Sequence, residues 1–147
     1  MPNASTEMPF EEGLKALNNG RTGAALDWFA KAVAEEKTPL AVSYLAYCRA
    51  KEEGKSKESI ALCMEAVKDE PKNPDIYLNL GRVYLLAGQR RPAIRAFDLG
   101  LRYGKSPQII NELALIGRRK NPPLPFLSRN HPLNKFLGKF LAKLGLR

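Results

Sequence analysis

The sequence predicts an all-α fold built as a stack of helix-turn-helix units, and three observations carry that reading. Gly20, Gly54 and Gly88 stand 34 residues apart without an insertion, and the residues after each glycine repeat in kind. At five, six, nine, twelve and thirteen places beyond the glycine come Ala25, Ser59 and Ala93; Leu26, Ile60 and Ile94; Phe29, Cys63 and Phe97; Ala32, Ala66 and Gly100; and Val33, Val67 and Leu101. Seven places before it stand Gly13, Tyr47 and Gly81. A fixed period of this length, with small residues set among bulky ones at helical spacing, marks paired helices that approach closely and stack on their neighbours. The third observation is a repeated helix start, in which a capping side chain precedes a proline: Thr38-Pro39, Asn73-Pro74 and Ser106-Pro107.

The elements follow in order. Proline at the first helical position has its φ already set and lacks only an N–H that would have no intrahelical partner. Ser56 is expected to cap another helix, and Arg91-Pro92 opens one with the proline alone. The three marker glycines supply the positive φ that ends each first helix. Helices are therefore predicted over 9–18, 22–36, 39–52, 56–69, 74–87, 91–103, 107–120 and 132–145. Pro9 and Glu12 replace apolar residues in the first of these, which should be short and start late. Residues 121–131, NPPLPFLSRNH, are too proline-rich to continue a helix.

The pattern resembles the tetratricopeptide repeat. The third unit carries the resemblance best, with Tyr77, Leu80, Gly81, Tyr84, Ala93 and Phe97 at six signature places. The second unit has Ala46, Tyr47 and Ala50 where Leu, Gly and Tyr are expected, and ends on Pro71. The resemblance covers about residues 7–120. It implies a right-handed α-solenoid with repeats at about 6–39, 40–73 and 74–107 and a further helix over 107–120; beyond it, the residues themselves predict a proline-rich connector over 121–131 and a basic amphipathic helix over 132–147.

It further implies a concave face lined by the first helix of each unit. Placed on that geometry, Phe10, Leu14 and Leu17, then Tyr44, Cys48 and Lys51, then Leu78, Arg82, Leu85 and Leu86 point into the groove, with about half expected to pack against the neighbouring unit instead. Mostly apolar, this set suits an amphipathic helix or an extended apolar peptide, with Arg82 as its main charge. Chaperone-binding members of the family hold a C-terminal carboxylate with Lys, Asn and Arg side chains. The corresponding places here hold Phe10, Leu14, Leu45, Leu78 and Arg82, and only the last matches, which argues against a carboxylate-clamp adaptor.

The C-terminal segment has a second pattern. Leu133, Phe136, Leu137, Phe140, Leu141 and Leu144 recur on one helical face, while Lys135, Lys139, Lys143 and Arg147 recur every four residues on another. A helix this short does not hold in water by itself and needs a host. The host expected here is the chain's own solenoid, whose last helix offers Ile109, Ile110, Leu113 and Ile116, with Leu124, Phe126 and Leu127 packing in the tether. An anionic membrane surface and a second protein, or a second copy, are the other two.

Charge and composition narrow the function. Of the net +9, residues 1–70 contribute −3 and residues 71–147 contribute +12. That asymmetry fits an acidic partner or a lipid surface as well as plain solubility. Nucleic acid is disfavoured, because the basic half lacks interleaved exposed aromatics for stacking. Cys48 and Cys63 form neither a disulfide framework nor a metal site, and Cys63 takes a core place. His131 is the only histidine and stands among prolines. The stretch GLRYGKS, residues 100–106, has three residues between its glycines where a phosphate loop needs four, and it follows a helix. No catalytic constellation, cofactor or metal is expected. The N-terminus lacks the pattern of a signal peptide. The sequence therefore reads as a cytoplasmic, non-catalytic protein-interaction module, an adaptor or scaffold, with a peripheral membrane factor as the alternative.

Overall fold

The computed structural model describes residues 8–117 and 132–145. Eight helices lie among them: α1 (Pro9–Asn18), α2 (Thr22–Glu35), α3 (Pro39–Glu53), α4 (Ser56–Asp69), α5 (Pro74–Leu86), α6 (Arg90–Tyr103), α7 (Pro107–Gly117) and α8 (Pro132–Lys143). The chain divides into two compact units, the first ending at Leu113 and the second beginning at Ala114.

Local chemistry accounts for the helix ends. Thr38 accepts a hydrogen bond from the Ala41 N–H at 3.1 Å, Asn73 one from Asp75 at 3.1 Å, and Ser106 one from Ile109 at 3.3 Å. Each satisfies an amide that the first turn leaves without a partner. Gly20, Gly54 and Gly88 have φ of 72°, 70° and 75°, the left-handed conformation in which a Cβ is penalised. Ser56 departs from expectation: Lys55 is the capping residue and makes no side-chain cap, because the helix already begins at Ser56. α1 is short, as its proline and glutamates require.

In the first unit the helices pair as α1 with α2, α3 with α4 and α5 with α6, and the pairs stack through α2–α3, α3–α5 and α4–α5. The pairing is tightest where a glycine meets a phenylalanine. A Cβ on Gly13 would lie 2.7 Å from the Phe29 ring, and one on Gly81 would overlap the Phe97 ring outright. Phe29 and Phe97 are fully buried in consequence. The middle pair inverts the arrangement, with Tyr47 at the glycine place and the small Cys63 at the phenylalanine place. Tyr47 packs against the cluster that contains Cys63, so the bulk moves from one helix to the other and the space stays filled. Gly100 does the same job at the next joint, where a Cβ would lie 2.6 Å from Ile109 and 2.9 Å from Tyr77.

A polar link joins the second and third pairs. The Asn79 side-chain amide, wholly buried, donates to Ser43 Oγ at 3.0 Å, and the Ser43 hydroxyl donates to the Leu40 carbonyl at 2.7 Å.

Of the stripe expected on α7, Ile109 is buried, facing Gly100 and Tyr77, whereas Ile110 is exposed. Within α8, Phe136, Phe140 and Leu144 are exposed at 66%, 51% and 55%, contrary to the expectation that they bury as a cap. Leu137 and Leu141 are half-buried. Leu124, Phe126 and Leu127 of the tether, His131, and residues 118–120 lie outside the described residues.

The glycine–phenylalanine joint makes a signed prediction. Gly81→Ala should destabilise the protein by about 1–3 kcal/mol through overpacking, although alanine is the better helix former by ~1 kcal/mol. Phe97→Ala should cost about 3–5 kcal/mol. The double substitution should cost less than the two singles together, since removing the ring opens room for the methyl group. Urea melts of the four proteins measure this cycle, and strict additivity would show that the two residues do not meet.

Candidate peptide groove

The odd-numbered helices of the first unit share one face, and a cavity of about 140 Å³ opens on it. Its lining comes from all four: Leu17 and Asn18 of α1, Tyr44, Tyr47 and Lys51 of α3, Leu78 and Arg82 of α5, and Gln108 of α7. The register explains this convergence, because each hairpin returns its first helix to the same side of the stack.

The surface left open is more polar than the sequence implied. Phe10 packs edge-on to Phe29 and to Tyr44, with centroids 5.6 Å apart in each case, and Tyr44 stacks on Phe29 at 5.1 Å. Leu14 and Leu17 pack on the same cluster. Cys48 is fully buried there, and Leu78 and Tyr44 show only 1% and 8% of their surface. These side chains hold adjacent repeats together, so the apolar character expected of the groove is largely consumed as core. Leu85 is half-buried and Leu86 exposed, but neither reaches the cavity. Phe10 instead borders a second cleft, of about 220 Å³, together with Met8, Pro9, Leu40, Glu35 and Glu36.

Arg82 is likewise not the open charge it was expected to be. Its Nε donates to Glu112 Oε1 at 2.9 Å, with both side chains about one-fifth exposed, and its guanidinium lies 5.2 Å from the Tyr47 ring centroid. Lys51, exposed, approaches the same ring at 5.9 Å. Tyr47 thus gathers two cations on its π-surface, one paired with a carboxylate and one facing the groove. Asn18, Tyr47 and Gln108 were not legible as site residues. The one available signal was Tyr47 itself, a bulky residue standing where the other two repeats have glycine.

Burial sets the protonation of the groups beneath the groove. The Tyr44 hydroxyl is pushed up to about 12 by burial, with Asp75 adding to the rise and Arg82 opposing it. Burial also pushes the Cys48 thiol to about 12, reinforced by Glu52 and opposed by Lys51 and Arg82. The Cys63 thiol rises to about 12 by burial alone. Burial thus keeps both thiols protonated at neutral pH. Among the described residues no three His, Cys, Asp or Glu side chains gather as metal ligands. No helix among them is long and apolar enough to cross a membrane.

Stacked helical hairpins with a shared groove define the class: a helical-repeat scaffold whose first helices present a common surface. Comparison narrows the class, since residues 50–111 match the family model of the tetratricopeptide repeat. That match runs from the end of α3 into α7, and the helical hairpins of the first unit have the fold of a right-handed α-solenoid of such repeats. Among solved structures it is similar to the tetratricopeptide domain of Sgt2 from Aspergillus fumigatus. That likeness has a TM-score of 0.57 and 16% identity, and covers 91% of this chain and 95% of that one. A comparison with curated proteins gives no match.

The buried thiols predict an alkaline weakness. In the folded protein Cys48 and Cys63 keep their protons to about 12, whereas the unfolded thiols lose theirs near 9. Above pH 9 the unfolded state therefore binds fewer protons, and stability should fall as pH rises from 9 toward 12, by up to ~1.4 kcal/mol per pH unit for each thiol. Urea midpoints measured across that range should decline, and Cys63→Ala should flatten the decline. An equally steep fall in the variant would mean that Cys63 titrates normally in the native state.

Proposed function

We infer that this protein is a non-catalytic adaptor that holds an extended segment of a partner protein in the groove of α1, α3, α5 and α7. The observation that supports this most is the cavity lined by all four helices, with Asn18, Tyr47, Lys51 and Gln108 among its polar lining. Its volume, near 140 Å³, accepts one anchoring side chain and not a whole helix face. The polar lining suits main-chain carbonyls and an acidic side chain, which Lys51 would meet with a charge-assisted hydrogen bond. Arg82, held by Glu112 and Tyr47, keeps the wall of the groove in place. Because its cation is already neutralised, a free C-terminal carboxylate has little claim on it, in keeping with the departure from the carboxylate-clamp pattern. The fold supports protein–protein interaction in general, and the lining shared by four helices favours the groove as its place.

A photo-crosslinking amino acid at Asn18 tests the address against one at Arg95 on α6. The expected result is capture of a protein partner from Asn18 and none from Arg95. Lys51→Glu should then weaken the captured interaction on the order of 10-fold with far-UV circular dichroism unchanged. Capture from Arg95 alone, or full affinity in the Lys51 variant, would place the interaction elsewhere.

A further inference from the structure

Helix α8 has two apolar edges with different fates. Leu137 and Leu141 are half-buried, whereas Phe136, Phe140 and Leu144, one and two turns apart, are exposed. The two phenylalanine rings lie nearly parallel, 11° apart in plane and 6.4 Å between centroids. Lys135, Lys139 and Lys143 each immediately precede one of the exposed apolar residues, and all three are exposed. What α8 offers outward is therefore a row of aromatic and leucine side chains bordered by a row of ammonium groups. No acidic residue follows Glu112 in the sequence, so nothing on this segment neutralises them.

We propose that this surface of α8 binds an anionic lipid bilayer, lying in the plane of the interface with Phe136, Phe140 and Leu144 entering the acyl boundary and Lys135, Lys139 and Lys143 on lipid phosphates. Charge decides between occupants. A second copy meeting this face across a two-fold axis would bring its own lysine row against the first, with no carboxylate from either helix to relieve it. An anionic bilayer supplies the opposite charge and the apolar interior together. At about 18 Å for twelve residues, α8 is too short to span, which leaves the interfacial orientation. The adaptor would then present its groove at a membrane surface. The inference does not depend on the groove reading: Lys51→Glu is predicted to leave vesicle binding untouched, so the two fail separately.

The test is co-sedimentation of the full chain with vesicles of phosphatidylcholine alone and of phosphatidylcholine containing one-third phosphatidylglycerol. Each lysine should favour the anionic vesicles ~5-fold at low salt, on the order of 100-fold for three, and the preference should collapse in molar salt, where the Debye length is only about 3 Å. The double substitution Phe136→Ser, Phe140→Ser should weaken partitioning at least 10-fold with an unchanged melting temperature, and Lys135, Lys139 and Lys143→Gln together should abolish the preference for anionic vesicles. Equal binding to both vesicle types would overturn the proposal, as would undiminished binding by the double serine variant. So would a lowered melting temperature in that variant without any vesicle binding, which would mean that the phenylalanines cap the protein itself. Retention by duplex DNA in place of vesicles would assign the lysines to nucleic acid and likewise overturn it.

Discussion

The contact of a glycine on one helix with a phenylalanine ring on the next is the constraint from which the rest of the repeat stack follows. Gly13 against Phe29 and Gly81 against Phe97 bring the axes of α1 and α2, and of α5 and α6, closer than any side chain at the glycine would permit. Once the two axes are that close, Ala25, Ala93 and Ala96 are the residues that fit beside the rings, and all three are buried. The middle pair shows that volume at the joint matters more than which helix supplies it. Tyr47 and Cys63 exchange large and small and keep the cluster closed. The exchange also has an outward effect, because a tyrosine placed there reaches the groove and collects Lys51 and Arg82 on its ring.

That close packing also explains why the groove is polar. A helix inside a stack has neighbours on several sides: α3 touches α2, α4 and α5. Seven of its fifteen residues are buried, spread around the helix and not confined to one stripe. Apolar side chains on its groove side are drawn into the joints between repeats, as Tyr44 and Cys48 are. Polar ones are left to line the cavity. A partner held in the proposed groove would be discriminated by hydrogen bonds and charge, with little gain from bulk hydrophobicity. The apolar-aromatic surface of α8 differs in character, so the two surfaces proposed for recognition have different chemistry.

What the sequence by itself determined is everything that rests on short-range forces. The helix order, the hairpin period and most helix starts were legible because a Thr, Asn or Ser side chain binding an amide two or three residues on, a proline with a fixed φ, and a glycine at positive φ act within a few residues of themselves. The small-large alternation was legible for the same reason, since it repeats at a fixed spacing and needs no knowledge of the partner. Tertiary structure alone decided which apolar residues of α1, α3 and α5 remain accessible, because a helical wheel cannot say how many neighbours a helix has. It decided that Arg82 is occupied, because its carboxylate partner, Glu112, lies 30 residues away on another helix. It also separated the exposed phenylalanine edge of α8 from its half-buried leucine edge: both are equally apolar in one dimension, and only the presence or absence of a packed neighbour tells them apart.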